Sequence, residues 1–289
     1  MHYQGDVFRP PSEAKSILLQ VTTGCSHNKC SFCGMYKNSR FSIKDDDIIM
    51  EDIEYASRHF QRQKRLFICD GDALILPQKR LLHILNAIRE QLPWVERVGI
   101  YANTKSIRLK SDEDLQKLRD AGLKIAYMGL ESGDDVTLEH ICKGSNAQRM
   151  VEMGQRLRSA GMLLSVTVLL GIAGKKRSHV HAVETGRVLS AIDPEYVGAL
   201  SLMLSQGTDL YSSYEKGLFE LLEPMEMLEE LAVMITHTDL SGGYFHANHA
   251  SNYLPIKARL PEEKEKTLQL IHSALQGKVG LKAEQYRSF

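Results

Sequence analysis

The sequence predicts an α/β fold, a partial (β/α)6 barrel followed by a mostly helical C-terminal extension. Two observations predict it. Six apolar, strand-like runs alternate with amphipathic helical patterns over the first 203 residues, and glycine- or acid-containing motifs directly follow several of these runs. Alternating strands and helices imply a parallel sheet with right-handed crossovers. With 289 residues and 43% apolar content, the chain can bury the core of one such barrel.

The repeating elements follow one another in a regular order. The strand-like runs lie at 17–22, 65–69, 97–102, 124–129, 163–170 and 196–203. The helical patterns between them lie at 46–60, 78–91, 111–121, 146–160 and 178–191. Ser111 and Gly122 are typical boundary residues of the third helix, an N-cap and a C-terminal glycine. We therefore expect an N-terminal extension (1–15), a barrel core (16–203) and a C-terminal extension (204–289).

The C-terminal extension is predicted to close the barrel and is a candidate for substrate binding. We expect a loop at 207–211, helices at 223–236 and 261–276, and a frayed tail at 283–289. The stretch 241–253 is rich in His, Asn and Tyr and is predicted to be a loop. Its His246 and His249 are candidates for substrate binding or proton transfer. The alternative is a hydrogen-bonded loop that only closes the open side of the barrel.

Composition limits the classes of partner. A formal net charge of zero argues against a broad surface for nucleic-acid phosphates. No apolar run reaches the length needed to span a membrane, and the N-terminal segment has no signal-peptide pattern. Five cysteines, an odd and small number, do not form a disulfide framework. A reduced, cytoplasmic location is expected.

Three cysteines, Cys25, Cys30 and Cys33, lie in one short loop after the first strand-like run. Three thiolates leave a metal centre one ligand short of tetrahedral, which predicts an iron–sulfur cluster with one iron open to another ligand. Zinc is the main alternative, because Cys-x2-Cys also binds zinc, but the chain has no second such pair. The other two cysteines, Cys69 and Cys142, stand alone and are interpreted as core residues.

The cysteine loop, with Phe32 between its last two cysteines, resembles the cluster loop of the radical S-adenosylmethionine (SAM) enzymes. Its spacing is Cys-x4-Cys-x2-Cys, one residue longer than the family's common Cys-x3-Cys-x2-Cys. The resemblance implies a partial (β/α)6 TIM-like barrel and a [4Fe–4S] cluster held by Cys25, Cys30 and Cys33. It also implies that SAM binds the fourth iron through its amino and carboxylate groups, near Phe32.

Two strand ends resemble motifs with which this family binds the polar groups of SAM. The Asp-Gly-Asp turn at 70–72 resembles the second-strand motif, which implies that Gly71 and Asp72 hold the methionyl ammonium. The string Gly-Leu-Glu-Ser-Gly at 129–133 resembles the fourth-strand motif. There Glu131 is implied to bind the ribose hydroxyls and Lys143 the methionyl carboxylate. The structural alternative is an ordinary turn and a helix-capping acid.

A third strand end, Gly-Ile-Ala-Gly at 171–174, resembles the family's adenine-binding motif. The resemblance implies adenine contacts from Gly171 and Ile172. Thr167 within that strand is a candidate for the ribose, and Asn103 after the third strand is a weaker candidate for the cofactor's polar end. Each of these strands can also be plain core.

Taken together, the resemblance implies reductive cleavage of SAM to a 5′-deoxyadenosyl radical that abstracts hydrogen from a small-molecule substrate. A low-potential electron donor, a flavodoxin or ferredoxin, is the implied partner. The strand-end strings look most like the branch that contains the anaerobic porphyrin-ring and coproporphyrinogen enzymes. Two alternatives remain: a cysteine-ligated zinc or iron–sulfur sensor without SAM cleavage, and a hydratase that uses an open iron. A sensor has no use for Asp72, Glu131 and Lys143.

Overall fold

The computed structural model describes residues 1–288 and shows a mixed α/β fold. Its strands are β1 (Ile17–Gln20), β2 (Thr22–Thr23), β3 (Ser42–Ile43), β4 (Arg65–Cys69), β5 (Arg97–Ala102), β6 (Leu123–Glu131), β7 (Leu163–Leu170), β8 (Tyr196–Ser201), β9 (Tyr244–His246) and β10 (Lys257–Arg259). Its helices are α1 (Asp46–His59), α2 (Gln78–Gln91), α3 (Thr104–Arg108), α4 (Asp112–Asp120), α5 (Asp135–His140), α6 (Ala147–Ser159), α7 (Gly174–Ile192), α8 (Asp209–Glu215), α9 (Pro224–Thr236) and α10 (Lys264–Leu275).

One mostly parallel sheet carries the six predicted strands in their chain order. Its strand order is β1-β4-β5-β6-β7-β8-β9-β10, and only the last pair, β9 with β10, is antiparallel among the pairings described. Helices connect the parallel strands, as parallel pairing requires. The predicted fold class, a partial (β/α)6 barrel with a C-terminal extension, is confirmed.

By compactness the described chain divides into two units. The first unit comprises 1–28, 35–128 and 156–164, and the second comprises 29–34, 129–155 and 165–289. In the first unit β4 is buried over nearly its whole length, as expected for a parallel strand covered on both faces. The ring of Phe67 packs edge-on against Tyr101 and Tyr127, with centroid distances of 4.9 and 5.6 Å. The predicted boundaries at residues 15 and 203 stay a prediction.

In the second unit the strands present one buried and one partly exposed face. Along β7 and β8, buried residues alternate with half-buried ones, the period-two pattern of a strand. The register pairs Thr167 with Gly198 and Gly198 with His246. We call this side of β7, β8 and β9 the half-exposed face; it is formed by Ser165, Thr167, Tyr196, Gly198, Tyr244 and His246.

Two predicted loops of the extension are wrong in detail. The segment 207–211 contains the start of α8, whose N-cap Thr208 accepts a hydrogen bond from the backbone N–H of Tyr211. The segment 241–253 contains β9. Both elements are too short for sequence periodicity to show them. The predicted helices at 223–236 and 261–276 are confirmed as α9 and α10.

The predicted frayed tail is wrong for residues 283–288, and the prediction for Phe289 lies outside the described residues. Arg287 is 8% exposed, and its guanidinium donates to the backbone carbonyls of Ser251 at 2.6 Å and Leu202 at 3.2 Å. It also pairs with the Glu284 carboxylate at 2.7 Å. A buried guanidinium with this many acceptors fixes the tail to the second unit. Within residues 1–288, no helix combines the length and the apolarity that crossing a membrane requires.

Candidate functional site

The turn after β4 forms a seat for the first cysteine of the loop. A Cβ added at Gly71 would lie 2.6 Å from Cys25 Cβ and 3.1 Å from Cys25 Sγ. The backbone N–H of Gly71 also donates to the carbonyl of Gly24 at 3.1 Å. Any side chain at position 71 would therefore displace Cys25. The structure thus brings Gly71 and Cys25 together.

Asp72, in the same turn, has one satisfied and one unsatisfied carboxylate oxygen. Its Oδ2 accepts a hydrogen bond from the Ser26 hydroxyl at 2.5 Å, whereas its buried Oδ1 has no hydrogen-bond partner among residues 1–288. Burial raises the pKa of Asp72, while the side chains of Ser26, Ser106 and Asn103 act to lower it. An unsatisfied buried acceptor is costly on its own and suits a cationic donor such as an ammonium group.

Asn103 lies near Asp72 but already has a structural role. Its Oδ1 accepts a hydrogen bond from the backbone N–H of Ser106 at 2.9 Å, and the Ser106 hydroxyl accepts from the Asn103 N–H, which forms a capping box for α3. The Asn103 side chain also faces Asp72. Because the amide oxygen of Asn103 caps α3, a contact with the cofactor would use its amide nitrogen. This contact stays a prediction.

Asp70, which the sequence left without a role, is a further unusual residue of this turn. It has a φ of 74°, a left-handed conformation that Asp tolerates better than most residues. Its Oδ2 accepts from Gln20 Nε2 at 2.6 Å, and burial raises its pKa to about 6. Turn composition alone could not show the Gln20 hydrogen bond, whose donor lies 50 residues away in the sequence.

In the second unit, residues 30–34 of the cysteine loop are held by backbone and apolar contacts. The Ser31 N–H donates to the Ile141 carbonyl, and the Ser31 carbonyl accepts from the Leu210 N–H, both at 2.9 Å. Phe32 packs against a buried apolar cluster that contains Ile172. These contacts fix the loop segment that carries Cys30 and Cys33.

All three loop cysteines are partly exposed, which leaves their thiols able to reach a metal centre. In the part of the chain that the structure describes, no three Cys, His, Asp or Glu side chains are grouped so that they could hold a metal ion. A [4Fe–4S] cluster takes each cysteine on a different iron, so its ligands stand farther apart than those of a single ion. The three partly exposed thiols are the residue type that binds such a cluster, and the ligand role of Cys25, Cys30 and Cys33 stays a prediction.

At the end of β6 the structure brings Glu131 and Lys143 together. Glu131 Oε1 accepts from Lys143 Nζ at 2.9 Å, and both side chains are largely buried. A Cβ added at Gly129 would lie 2.2 Å from that carboxylate oxygen and 3.0 Å from Lys143 Nζ. Glu131 itself has a φ of 64°, a strained value for a residue with a side chain. Gly129 thus provides the space that the ion pair occupies.

At the end of β7 the predicted adenine contacts lie in a left-handed turn. Gly171 has a φ of 81°, and its N–H donates to Glu230 Oε1 at 2.6 Å. Ile172 is fully buried in the apolar cluster that contacts Phe32, and its adenine contact stays a prediction. Thr167 lies on the half-exposed face, where its hydroxyl can meet a ligand.

The two candidate histidines of the extension differ in their environment. His246 lies on the half-exposed face, and its buried Nε2 has no hydrogen-bond partner in the described chain. Burial and the charge of Lys257 lower its pKa. His249 Nδ1 instead lies 2.9 Å from the Ser251 hydroxyl and accepts from the Ser251 N–H at 3.2 Å. The Nε2 nitrogen of His246 is therefore without a hydrogen bond among the described residues, whereas His249 is hydrogen-bonded within its own loop.

The family model of the radical SAM superfamily matches residues 19–185. Over 157 residues the chain is 29% identical to bacteriochlorophyllide d C-8(2)-methyltransferase of Chlorobaculum tepidum, which covers 51% of this chain and 34% of that protein. Over 195 residues it is 23% identical to the heme chaperone HemW of Bacillus subtilis, which covers 66% of this chain and 49% of that protein. The chain thus spans half or less of the length of these two relatives.

Solved structures show the same fold at lower identity. Coproporphyrinogen III oxidase (HemN) from Escherichia coli has a TM-score of 0.59 at 14% identity and covers 94% of this chain and 61% of its own. Methylornithine synthase (PylB) has a TM-score of 0.55 at 17% identity and covers 78% of this chain and 63% of its own. The likeness to HemN and PylB shows the fold, and the branch within the superfamily stays a prediction. Because the family model spans more than half of the sequence, the chain belongs to the radical SAM superfamily and is an enzyme.

Proposed function

We propose that this enzyme cleaves SAM reductively at a [4Fe–4S] cluster held by Cys25, Cys30 and Cys33. The single observation that carries the proposal is the turn after β4. It seats Cys25 on Gly71 and, one residue later, buries an unpartnered carboxylate oxygen of Asp72. A cluster ligand and an acceptor for an ammonium group thus share one turn. When bound, the cluster supplies the electron that converts SAM to methionine and a 5′-deoxyadenosyl radical, which takes hydrogen from the substrate.

The charges of the strand ends complement those of SAM. Asp72 and the backbone of Gly71 accept the methionyl ammonium, and Lys143 donates to the methionyl carboxylate. Glu131, a carboxylate with several acceptor positions, binds the ribose hydroxyls. Before SAM binds, Glu131 and Lys143 satisfy each other at 2.9 Å, so neither charge is buried alone. Gly171 and Ile172 contact the adenine. Thr167 contacts the ribose, and Asn103 contacts the polar end of the cofactor.

The half-exposed face is the substrate side in this proposal. Tyr196 and Tyr244 stack on this face with centroids 6.1 Å apart and ring planes 14° apart, and His246 follows at 6.0 Å from Tyr244. The two tyrosines begin β8 and β9, whereas the proposed SAM contacts follow the ends of strands. The nitrogen of His246 that is unpartnered in the described chain therefore carries this part of the proposal, and it suits a polar group of the substrate. Two relatives are named for bacteriochlorophyllide and heme, which makes tetrapyrroles the first compounds to test.

A low-potential flavodoxin or ferredoxin is the proposed reductant, because radical SAM enzymes generally need an electron for each cleavage. A reducing cytosol is the proposed location, since it keeps the cluster thiolates reduced.

Anaerobic reconstitution with iron and sulfide, followed by metal analysis and EPR of the reduced protein with and without SAM, tests this proposal. We expect about four irons per chain and an EPR signal that changes when SAM is added. Cys30→Ala should lose most of the iron, and Asp72→Asn should keep the iron but lose the response to SAM. Zinc binding with no iron uptake would contradict the proposal and favour the sensor alternative.

A further inference from the structure

Two buried ionisable side chains of the second unit lie outside the predicted SAM contacts. Glu230 on α9 is 2% exposed and His181 on α7 is fully buried. Glu230 Oε1 accepts from the Gly171 N–H at 2.6 Å, and Glu230 Oε2 accepts from the Ser178 hydroxyl at 2.5 Å. His181 Nε2 lies 3.5 Å from Glu230 Oε1. The carboxylate therefore links α9 to α7 and to the turn that ends β7.

The opposite side of His181 reaches the other predicted SAM-binding strand end. His181 Nδ1 lies 2.8 Å from the hydroxyl of Ser132, the residue that follows Glu131. One helical turn further along α7, Thr185 Oγ1 accepts from the Gly133 N–H at 2.8 Å. A Cβ added at Gly133 would lie 2.3 Å from the backbone carbonyl of Glu184. The segment after Glu131 thus lies directly against α7 and is hydrogen-bonded to it.

The strand end at Glu131 contains a backbone conformation that needs such support, whereas a glycine such as Gly171 adopts a positive φ without strain. Glu131 has a φ of 64° and Gly171 a φ of 81°. A non-glycine residue in the left-handed region persists only when its surroundings hold it there. Burying a carboxylate is also costly unless its oxygens are hydrogen-bonded, and both oxygens of Glu230 are. A carboxyl group kept in the interior and bonded to one particular backbone N–H indicates a positioning role.

We propose that Glu230, through Gly171, and Thr185, through Gly133, are positioning residues that hold the two strand ends in the conformation that binds SAM. The proposal rests on the proposed SAM-binding function. It also gives α9, part of the extension predicted to close the barrel and offered as a candidate for substrate binding, a defined task. His181 lies between the two: its Nδ1 is 2.8 Å from the Ser132 hydroxyl, whereas its Nε2, 3.5 Å from Glu230 Oε1, has no hydrogen-bond partner among residues 1–288.

The test is the dissociation constant of SAM, measured by calorimetry on the reconstituted holoenzyme together with iron content and Tm. Glu230→Met keeps the side-chain volume but removes the acceptor for the Gly171 N–H. We expect its Kd for SAM to rise about tenfold with unchanged iron content. Glu230→Gln keeps an acceptor for Gly171 and offers its NH2 group to Ser178, so its Kd should stay within about threefold of the wild-type value.

A second variant tests the other strand end without changing a charge. Thr185→Val keeps the shape of the side chain and removes the hydroxyl that accepts from Gly133. We expect a rise in Kd of about fivefold. Ile271→Ala, a fully buried position on α10, is the matched control, because it should lower Tm and leave Kd unchanged.

The outcomes separate positioning from general stabilisation. Wild-type Kd values in both Glu230→Met and Thr185→Val, with lowered Tm, would overturn the inference and leave these residues merely structural. If Glu230→Met does not fold, the Kd of Thr185→Val decides alone. Iron-loaded wild-type enzyme that does not bind SAM would instead contradict the proposed function, and this inference with it.

Discussion

At the scale of single residues, two glycines determine where the reactive side chains of the candidate site can lie. Gly71 gives space to Cys25, and Gly129 gives space to the Glu131–Lys143 ion pair. Neither has a positive φ, so each is required for space and not for backbone conformation. The two glycines support different parts of the site, and their substitution should have different effects.

Gly71→Ala should impair cluster assembly. The new Cβ would overlap the Cβ and Cα of Cys25, which cannot rotate away, so the loop must shift at a cost of about 1–3 kcal/mol. We expect reduced iron and sulfide content after reconstitution, measured by chemical assay. Gly280→Ala is the control, because no atom lies within 4 Å of its added Cβ. Full iron loading of Gly71→Ala would show that the seat is dispensable.

Gly129→Ala should impair SAM binding and spare the cluster. Its Cβ would displace the Glu131 carboxylate from Lys143, and moving a buried charge from its partner is costly. We expect the Kd for SAM to rise about tenfold or more while iron content stays at the wild-type level. Equal SAM affinity in Gly129→Ala and wild type would argue against a role for Glu131 in binding the cofactor.

Glu230 should make stability depend on pH. Burial raises its pKa from 4.5 to about 7, so between these values the folded protein binds more protons than the unfolded chain. Stability from this group is therefore present at low pH and is lost as pH rises from about 4.5 to about 7, by at most about 3 kcal/mol. The Tm of Glu230→Gln minus the Tm of the wild type should be larger at pH 8 than at pH 5. A Tm difference that is the same at both pH values would contradict this assignment.

At the scale of elements, α3 combines a capping function with a candidate cofactor contact. Asn103→Ser keeps a good N-cap for α3 and removes the amide that faces Asp72. We expect its Tm to stay close to the wild-type value and its Kd for SAM to rise several-fold. Asn103→Ala should lower stability by about 1 kcal/mol through loss of the cap. If Asn103→Ser binds SAM like the wild type, Asn103 is a cap and nothing more.

The long elements could be predicted from the sequence because each is periodic and has recognisable ends. The helix predicted at 78–91 is α2 with the same bounds, and the strand predicted at 97–102 is β5. The short elements α3, α8 and β9 escaped prediction, since three to seven residues cannot establish a period. Their formation depends on caps and tertiary contacts that only the folded chain provides.

At the scale of the whole molecule, the strand-end residues predicted from the resemblance lie in both compact units. Gly71, Asp72 and Asn103 belong to the first unit, and Glu131 and Gly171 to the second. The contacts that hold these strand-end residues in place could not be predicted from local sequence. Glu230 bonds to Gly171 across 59 residues of sequence, and such a contact has no local signal. The frayed-tail prediction was wrong for the same reason, because the acceptors of Arg287 lie far from it in the chain.

The release of 5′-deoxyadenosine tests the central claim most directly. The reconstituted protein is reduced with dithionite under anaerobic conditions, given SAM, and analysed by mass spectrometry beside Cys30→Ala. We predict 5′-deoxyadenosine from the wild type and none above background from Cys30→Ala. Iron-loaded wild-type protein that releases no 5′-deoxyadenosine, or equal release by Cys30→Ala, would contradict the account.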